Sequence, residues 1–147
     1  MSDAQRLAEA CADAMWREDR ASKWLGMKVE EMRPGYARLS MRVTPHMVNG
    51  HDLCHGGMIF TLADSTFAYA CNSLNHRTVA AGCSIEFLVP AHLGDLLTAE
   101  GVEQARAGRS GVYDMKVTNQ QGELIALFRG KSASIKGKLI EEEGGMR

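Results

Sequence analysis

The chain has 147 residues, of which 45% are hydrophobic and 24% charged, and its formal net charge is −1. This length and composition predict one globular domain over 1–147. The balanced charge gives no indication of nucleic acid as a partner, and no apolar run reaches the roughly 18 residues that a membrane span requires.

The predicted elements begin with an N-terminal helical segment over 1–25. Within it, apolar residues recur at helical spacing over 4–18, which predicts an amphipathic helix. Beyond Gly26, the ranges 27–32 and 36–43 have an extended pattern and are separated by an Arg-Pro-Gly turn. Together these two ranges predict a β-hairpin.

A long apolar helix follows a polar loop that is rich in Gly, Asn, Asp and His. The helix is expected to begin at His55 or Gly56 and to run to Leu74, and it should be buried because most of its sides are apolar. The last residues, 137–147, are charged and glycine-bearing and are predicted to fray. Between the helix and this tail the chain predicts four strands, 78–89, 95–106, 110–119 and 124–135.

This order of elements predicts an α+β fold, because a run of antiparallel strands can bury one apolar helix against one face. The expected architecture is an antiparallel sheet wrapped around one long central helix, with an extra helix at the N-terminus. A sheet wrapped in this way around a single helix is the hotdog fold.

Several short motifs carry a resemblance to a known family. The most specific is the spacing of Asn49, the His55-Gly56-Gly57 triplet and Asp64. The other motifs are LAD at 62–64, FAYACNS at 67–73, IEFLVPAHLGD at 85–95, GVYD at 111–114 and ALFRGKS at 126–132. With these motifs, nearly the whole chain resembles the hotdog thioesterases of the phenylacetic acid degradation branch.

The resemblance implies an enzyme that hydrolyses aromatic acyl-CoA thioesters, such as phenylacetyl-CoA and its hydroxylated relatives, during phenylacetate degradation. It also implies a homodimer and, as a dimer of dimers, a homotetramer. Its catalytic carboxylate falls on Asp64, its oxyanion-stabilising backbone on Gly56, and two further catalytic positions on Asn49 and His55. Met58 stands where the family often has a polar or smaller residue, and this departure bears on the substrate.

The start of the long helix is suited to stabilising an oxyanion. Thioester hydrolysis passes through a tetrahedral oxyanion, which needs N–H donors aimed at the developing charge. N–H groups in the first turn of a helix lack intrahelical partners and lie at the positive end of the helix dipole. Gly56 and Gly57 let a carbonyl approach this backbone because they have no Cβ. Alternatively, the two glycines only start a tightly packed helix.

Asp64 is a carboxylate within an otherwise apolar helix, where an unpaired charge is costly to bury. Partial burial would raise its pKa toward that of a useful base. It is therefore a candidate to activate water or to attack the thioester itself, and the sequence leaves both routes open. The structural alternative is a buried hydrogen bond from Asp64 to a backbone group or to Ser65.

The spacing between these two groups predicts a shared site. Asp64 follows Gly56 by eight residues on one helix, which separates them by roughly 12 Å at 1.5 Å per residue. A reacting carbon must lie about 3 Å from both its attacking group and its oxyanion donors. One chain therefore cannot supply both groups to one thioester, whereas two antiparallel copies can. We expect a homodimer with two equivalent shared sites.

Two residues before the helix are assigned supporting roles. The Asn49 amide can donate to a carbonyl or hold a water, and it is also suited to a turn, because Asn-Gly is a strong turn signal. His55 is expected to fix the loop through a ring N–H or to position the thioester.

Four further residues are assigned to substrate binding. Gly57 is expected to allow close approach of the substrate, and Phe87 to line an apolar tunnel unless it is a plain core residue. Arg109 could contact a phosphate or the pantetheine arm of coenzyme A, or it is a solvated surface charge. Ser65, next to the carboxylate, completes this set.

No cofactor is expected, since coenzyme A is part of the substrate, and the spacing of His51, Asp52, Cys54 and His55 matches no common zinc pattern. Four widely spaced cysteines without an export signal predict reduced thiols and a cytoplasmic location. Two alternative functions stay open: a hotdog acyl thioester dehydratase or hydratase, and a non-catalytic acyl-CoA binding protein.

Overall fold

The computed structural model describes residues 1–141 and has one antiparallel sheet curved around one long helix. The sheet has six strands in the order β1-β2-β4-β5-β6-β3. This is the hotdog fold, as predicted. The elements are α1 (Asp3–Glu18), α2 (Arg20–Trp24), β1 (Lys28–Arg33), β2 (Tyr36–Arg42), a 3-10 turn (Pro45–Met47), α3 (Gly56–Cys71), β3 (Thr78–Phe87), β4 (Leu96–Ala107), β5 (Ser110–Thr118) and β6 (Leu124–Ser134).

The central helix α3 is held by an aromatic cluster on the sheet. Phe67 is buried, and its ring lies 5.9 Å from that of Phe128, which in turn lies 5.3 Å from that of Phe60. Gly130 lies directly under Phe67, since a Cβ at this glycine would come within 2.7 Å of the ring. The absence of a side chain at Gly130 therefore lets helix and sheet pack at close range.

The helix α3 ends at Cys71, earlier than the predicted Leu74, because the Asn72 side chain turns the chain toward β3. Its Nδ2 donates to the carbonyl of Thr78 at 3.1 Å, and its Oδ1 accepts from the Thr78 N–H at 3.0 Å. This two-way bond replaces a further helical turn and fixes the C-terminal end of α3 beside the first residue of β3.

The N-terminal segment is two helices rather than one. The Ser2 hydroxyl caps α1 by accepting from the Gln5 N–H at 3.0 Å. The Asp19 carboxylate then caps α2 by accepting from the Ser22 N–H at 3.0 Å. The apolar spacing predicts only α1, since α2 is too short to show a helical period.

The tail predicted to fray, 137–147, is hydrogen-bonded within its described part. The Asn75 Oδ1 accepts from the N–H groups of Leu139 and Ile140, at 2.9 and 3.0 Å. Its last six residues, 142–147, lie outside the described residues. Among residues 1–141, no helix has the length and apolar character that crossing a membrane would require.

The two edge strands of the sheet differ in what covers them. Helix α1 packs on β1, and the Gln5 side chain donates to the Met32 carbonyl at 2.6 Å. Strand β3, at the other edge, is exposed over most of its length. It ends at Phe87 and not at the predicted 89, because the N–H groups of Leu88 and Val89 both turn to the Ile125 carbonyl, at 2.8 and 3.4 Å.

Candidate active site

The loop before α3 is organised around Asn49. Its Oδ1 accepts from the N–H groups of His51 and Leu53, at 2.9 and 3.2 Å. Its own N–H donates to the Leu53 carbonyl at 2.8 Å. Asn49 therefore has the turn role that its Asn-Gly context predicts. Within residues 1–141, its Nδ2 group has no hydrogen-bond partner, so both amide protons stay available.

The first turn of α3 leaves one backbone donor open. The His55 Nδ1 accepts from the Gly57 N–H at 2.9 Å, and the His55 carbonyl accepts from the N–H groups of Met58 and Ile59, at 2.9 and 3.4 Å. Among the described residues, nothing accepts from the Gly56 N–H. Gly56, rather than Gly57, therefore presents an unsatisfied donor at the positive end of the helix.

His55 is thus the N-cap of α3, and the lone pair on its Nδ1 accepts the capping hydrogen bond. An Nδ1 that accepts a hydrogen bond carries no proton, so the ring proton of the neutral imidazole lies on Nε2. This differs from the expected ring N–H donor to the loop. Gly57 has a packing role here, because a Cβ at this position would lie 3.1 Å from the His55 Nδ1.

A cleft of about 290 Å³ opens beside the Gly56 donor. The Phe87 ring lies against Gly56 in this cleft, since a Cβ on Gly56 would come within 3.1 Å of the ring. The structure therefore brings three of the predicted site residues, Asn49, Gly56 and Phe87, together in one cleft. The cleft is lined by Asn49, Leu53, Cys54, Gly56, Ile59, Phe87, Leu88, Val89, Pro90 and Ala91.

The apolar segment after β3 is the part of this cleft that sequence reasoning missed. Leu88 and Val89 line the cleft and are 53% and 36% exposed, although the pattern predicts them inside a strand. The available signal is Pro90, which cannot donate to a strand partner and ends the strand before it.

Asp64 lies on a partly exposed stripe of α3 that begins at the exposed Gly57 and continues through the partly buried Thr61 and Ala68. Its carboxylate is half-buried, and this burial raises its pKa from the ordinary value. Within the described part of the chain it has no hydrogen-bond or ion-pair partner. Asp64 is therefore a free carboxylate with raised basicity, which is the condition that general-base chemistry needs.

The Ser65 side chain is hydrogen-bonded to α2 and not to the Asp64 carboxylate. Its hydroxyl lies 3.0 Å from the Ser22 hydroxyl of α2, and the two groups share a hydrogen bond. The structural alternative, in which Ser65 holds the Asp64 carboxylate, is not what the structure has. The assigned substrate contact of Ser65 is likewise not supported by this arrangement, since its hydroxyl links α3 to the N-terminal segment.

Asp64 is not part of the cleft around Gly56 in the same chain. The two groups lie eight residues apart on one continuous helix, a rise of roughly 12 Å. The chain therefore contains two separate candidate half-sites, the donor half-site at Gly56 and the carboxylate half-site at Asp64.

Arg109 lies far from the Gly56 cleft in the same chain. It is in the β4–β5 turn, where its carbonyl accepts from the Ser134 N–H at 2.8 Å. Its side chain lines a small cleft beside the C-terminal end of α3, with His76 and Arg106. Over the described range, no group of three or more His, Cys, Asp or Glu side chains is placed to hold a metal ion.

This fold and these half-sites define a class of protein. The chain belongs to the thioesterase superfamily, whose family model matches residues 51–126, a range that includes Gly56 and Asp64. The chain is accordingly a thioester hydrolase, and the resemblance stated from its motifs is confirmed.

Particular relatives agree with this membership. The acyl-coenzyme A thioesterase PaaI of Escherichia coli K12 is 47% identical over 131 residues, which are 89% of this chain and 94% of that protein. The structure of the E. coli PaaI protein from the phenylacetic acid degradation operon matches with a TM-score of 0.91 and 45% identity, covering 92% of this chain and 99% of that one. A hypothetical thioesterase from Streptococcus pneumoniae TIGR4, solved with coenzyme A, matches with a TM-score of 0.73 and 27% identity, covering 76% and 90%.

Proposed function

We propose that this chain hydrolyses aromatic acyl-CoA thioesters, phenylacetyl-CoA or its hydroxylated relatives, to the free acid and coenzyme A in phenylacetate degradation. The name and operon of the E. coli relative support the substrate, and the relative solved with coenzyme A supports the acyl carrier. The observation that carries the proposal is the open Gly56 N–H on the same helix as the unpartnered Asp64 carboxylate.

In the proposed reaction, the thioester carbonyl oxygen accepts hydrogen bonds from the Gly56 N–H and the Asn49 amide. These donors stabilise the oxyanion that forms when the carbonyl carbon is attacked. The Nε2–H of His55 faces outward from the cap and is available to position the substrate.

Asp64 drives the attack by one of two routes. As a general base, it takes a proton from the water whose oxygen bonds to the carbonyl carbon. The C–S bond then breaks, and the coenzyme A thiolate leaves, taking up that proton. As a nucleophile, Asp64 bonds to the carbonyl carbon, the C–S bond breaks and the coenzyme A thiolate leaves. Water then hydrolyses the resulting mixed anhydride in a second step. A thiol leaving group with a pKa near 8.5 departs with little acid assistance, so neither route needs a second catalytic acid.

Both routes need a second copy of the chain, because Gly56 and Asp64 of one protomer are too far apart. A two-fold axis that brings Gly56 beside the partner's Asp64 crosses α3 midway between these residues, near Thr61. Gly57 and Ala68 lie on the same partly exposed stripe, and such small side chains let two helices approach closely. We therefore propose a homodimer with two shared sites.

The exposed β3 edge supports this dimer. It carries apolar side chains that one chain leaves uncovered, such as Phe87, which is 54% exposed. An uncovered apolar edge strand is a template for pairing with another strand, and a second copy of β3 would satisfy it. The resemblance to the family extends this proposal to a dimer of dimers.

The remaining parts of the proposal concern the nucleotide, the cofactor and the compartment. Arg109 and Arg106, which line a small cleft beside the end of α3, are proposed to attract the phosphates of coenzyme A. No cofactor is required by either route, since the protein's own donors and carboxylate complete the chemistry. The cytoplasm is the proposed location, because all four cysteines are free thiols.

The test is a panel of acyl-CoA thioesters assayed for thiol release with the parent, Asp64→Ala and Asp64→Asn. Both variants should lose turnover by about a thousandfold or more, because the group that activates the attack is gone. Asp13→Asn on α1 makes the same chemical change at the other edge and should leave turnover unchanged. Unchanged turnover in Asp64→Asn would remove Asp64 from the mechanism.

The same panel separates the alternatives. A dehydratase would hydrate an enoyl-CoA without releasing thiol, and it would need His55 as an acid or base. The structure gives the Nδ1 of His55 to the Gly57 N–H, which disfavours that role. A non-catalytic binder would bind the panel by calorimetry and release no thiol at all.

A further inference from the structure

Strand β3 carries a row of side chains on the face that it shares with α3. In an antiparallel pair, directly opposed residues point to the same face. Cys83 is opposite Gly130, which lies under Phe67 of the helix, so Cys83 faces α3. Ile85 and Phe87 are opposite two buried core residues and face the same way.

The contacts of this row place Cys83 at the level of Asp64. Phe87 lies on Gly56 at the start of α3, and Thr78 is bonded to Asn72 just after its end. Strand and helix therefore run antiparallel, with Cys83 between these two points. The placement agrees with the electrostatics, since burial and then the negative charge of Asp64 raise the pKa of the Cys83 thiol.

A two-fold axis through the middle of the row makes this position part of the shared site. The axis that brings Gly56 to the partner's Asp64 passes Ile85 on the strand, because Ile85 lies midway between Cys83 and Phe87. Cys83 then lies opposite Phe87 of the partner subunit, beside the partner's Gly56.

We propose that Cys83 determines acyl specificity, in that the acyl group lies between the Cys83 side chain and the Phe87 ring of the partner subunit. This inference rests on the proposed thioesterase function. A cysteine behaves as a small, polarizable apolar side chain, and it makes favourable contacts with aromatic rings. A phenyl ring placed between a thiol and another aromatic ring gains both kinds of contact.

The raised pKa of Cys83 also argues against a role for its thiol as the catalytic nucleophile. A thiol that stays protonated at neutral pH is a poor nucleophile. Cys83 therefore shapes the space for the acyl group, and the covalent or general-base chemistry stays with Asp64.

The experiment compares kcat/KM for phenylacetyl-CoA with that for acetyl-CoA in the parent, Cys83→Ala and Cys83→Leu. Leucine fills the space of the aromatic ring, so Cys83→Leu should lower the phenylacetyl-to-acetyl ratio by about tenfold or more. Cys83→Ala keeps the space open and should change the ratio by less than about threefold. Ser84→Leu is the matched control, because Ser84 is the exposed neighbour on the opposite face of β3.

A second measurement does not depend on the folding of a bulky variant. Cys83 is exposed and the other three cysteines are buried, so at alkaline pH, where the Cys83 thiol ionises, methyl methanethiosulfonate should modify Cys83 first. Hydrolysis of phenylacetyl-CoA should fall more than that of acetyl-CoA, and Cys83→Ser should resist the reagent.

The outcomes separate this inference from the function on which it rests. An unchanged ratio in Cys83→Leu, or an equal change in Ser84→Leu, overturns the role of Cys83 while the parent's hydrolysis upholds the proposed function. Equal inactivation of the Cys83→Ser variant by the thiol reagent also overturns it. A parent that hydrolyses neither thioester overturns the proposed function and this inference together.

Discussion

The two edges of the sheet are finished in different ways. At the β1 edge the chain supplies its own cover, with α1 packed on the strand and Glu31 paired with Arg33 and Arg38, at 3.3 and 3.4 Å. At the β3 edge, residues 1–141 supply no such cover, and Phe87 and Leu88 are exposed. Both half-sites lie along this open edge. In the proposed dimer, a second copy completes the sheet edge and the active site in one step.

The largest effect on assembly and turnover should come from a lysine introduced into one of the two edge strands, β3 but not β1. Val29 of β1 and Ile85 of β3 are both half-buried apolar residues that pack against the core. Ile85→Lys places two like charges near the two-fold axis, so dimers should dissociate and turnover should fall by more than about a thousandfold. Val29→Lys should keep its assembly and most of its turnover. Light scattering measures the assembly and a thiol-release assay measures the turnover. Equal behaviour of the two variants would contradict the assignment of the β3 edge as the dimer interface.

The next effect tests the donor half-site alone. Proline has no N–H and is favoured in the first turn of a helix, and the extended backbone of His55, with φ −60 and ψ 133, suits a residue before proline. Gly56→Pro should therefore remove the oxyanion donor with α3 intact and lower kcat by about 10² to 10³. Gly56→Ala adds a Cβ but keeps the N–H, so it should retain much more activity. Equal losses would assign the effect to crowding at Phe87.

A smaller effect concerns stability and its dependence on pH. Burial raises the pKa of Asp64 in the folded chain, so its contribution to stability is present at acid pH and is lost as the pH rises through the folded pKa. Asp64→Asn should become increasingly more stable than the parent from about pH 4 to pH 7. Denaturant unfolding at several pH values measures this difference.

Asp114 gives a control of opposite sign. The Arg129 guanidinium holds the pKa of Asp114 below its ordinary value, so that stability is present at neutral pH and is lost as the pH falls. Asp114→Asn should therefore be less stable than the parent at neutral pH, with a difference that shrinks toward acid. Parallel pH profiles for the two variants would contradict the assignment of Asp64 as an unpartnered carboxylate.

The smallest effect concerns the cap of α3. His55→Ala removes the acceptor for the Gly57 N–H and should cost about 1 kcal/mol of unfolding free energy. His55→Asn supplies a side-chain acceptor at the N-cap and should recover most of this loss. Thermal and denaturant unfolding of the two variants measure the difference. If both lose the same stability, the ring contributes by packing rather than by capping.

Much of the fold follows from local patterns in the sequence. The apolar helix α3, the hairpin of β1 and β2 and the four later strands all show their own periodicity, and the structure has each of them. The order of the strands is set by long-range pairing, so no local pattern reveals that β3 lies at the edge. The end of α3 depends on the Asn72 side chain binding across to β3, which a helical pattern does not report.

In the candidate site too, some features follow from the sequence and others depend on contacts that only the structure shows. The family motif and the position of each group on α3 identify Gly56 as the candidate donor and Asp64 as the candidate carboxylate. The sequence does not show that His55 takes the Gly57 N–H, because that bond depends on the ring orientation at the N-cap. Nor does it show that Ser65 turns to Ser22, since that contact joins two elements far apart in the chain.

In the proposed dimer, each active site takes its donor from one chain and its carboxylate from the other. The most direct measurement co-expresses Asp64→Ala with Gly56→Pro, each nearly inactive alone, and assays the mixed dimers for thiol release. Random pairing makes half of the dimers mixed, each with one intact site, so the account predicts about a quarter of the parent activity. Activity that stays at the level of the separate variants, with mixed dimers verified by mass spectrometry, would contradict the account.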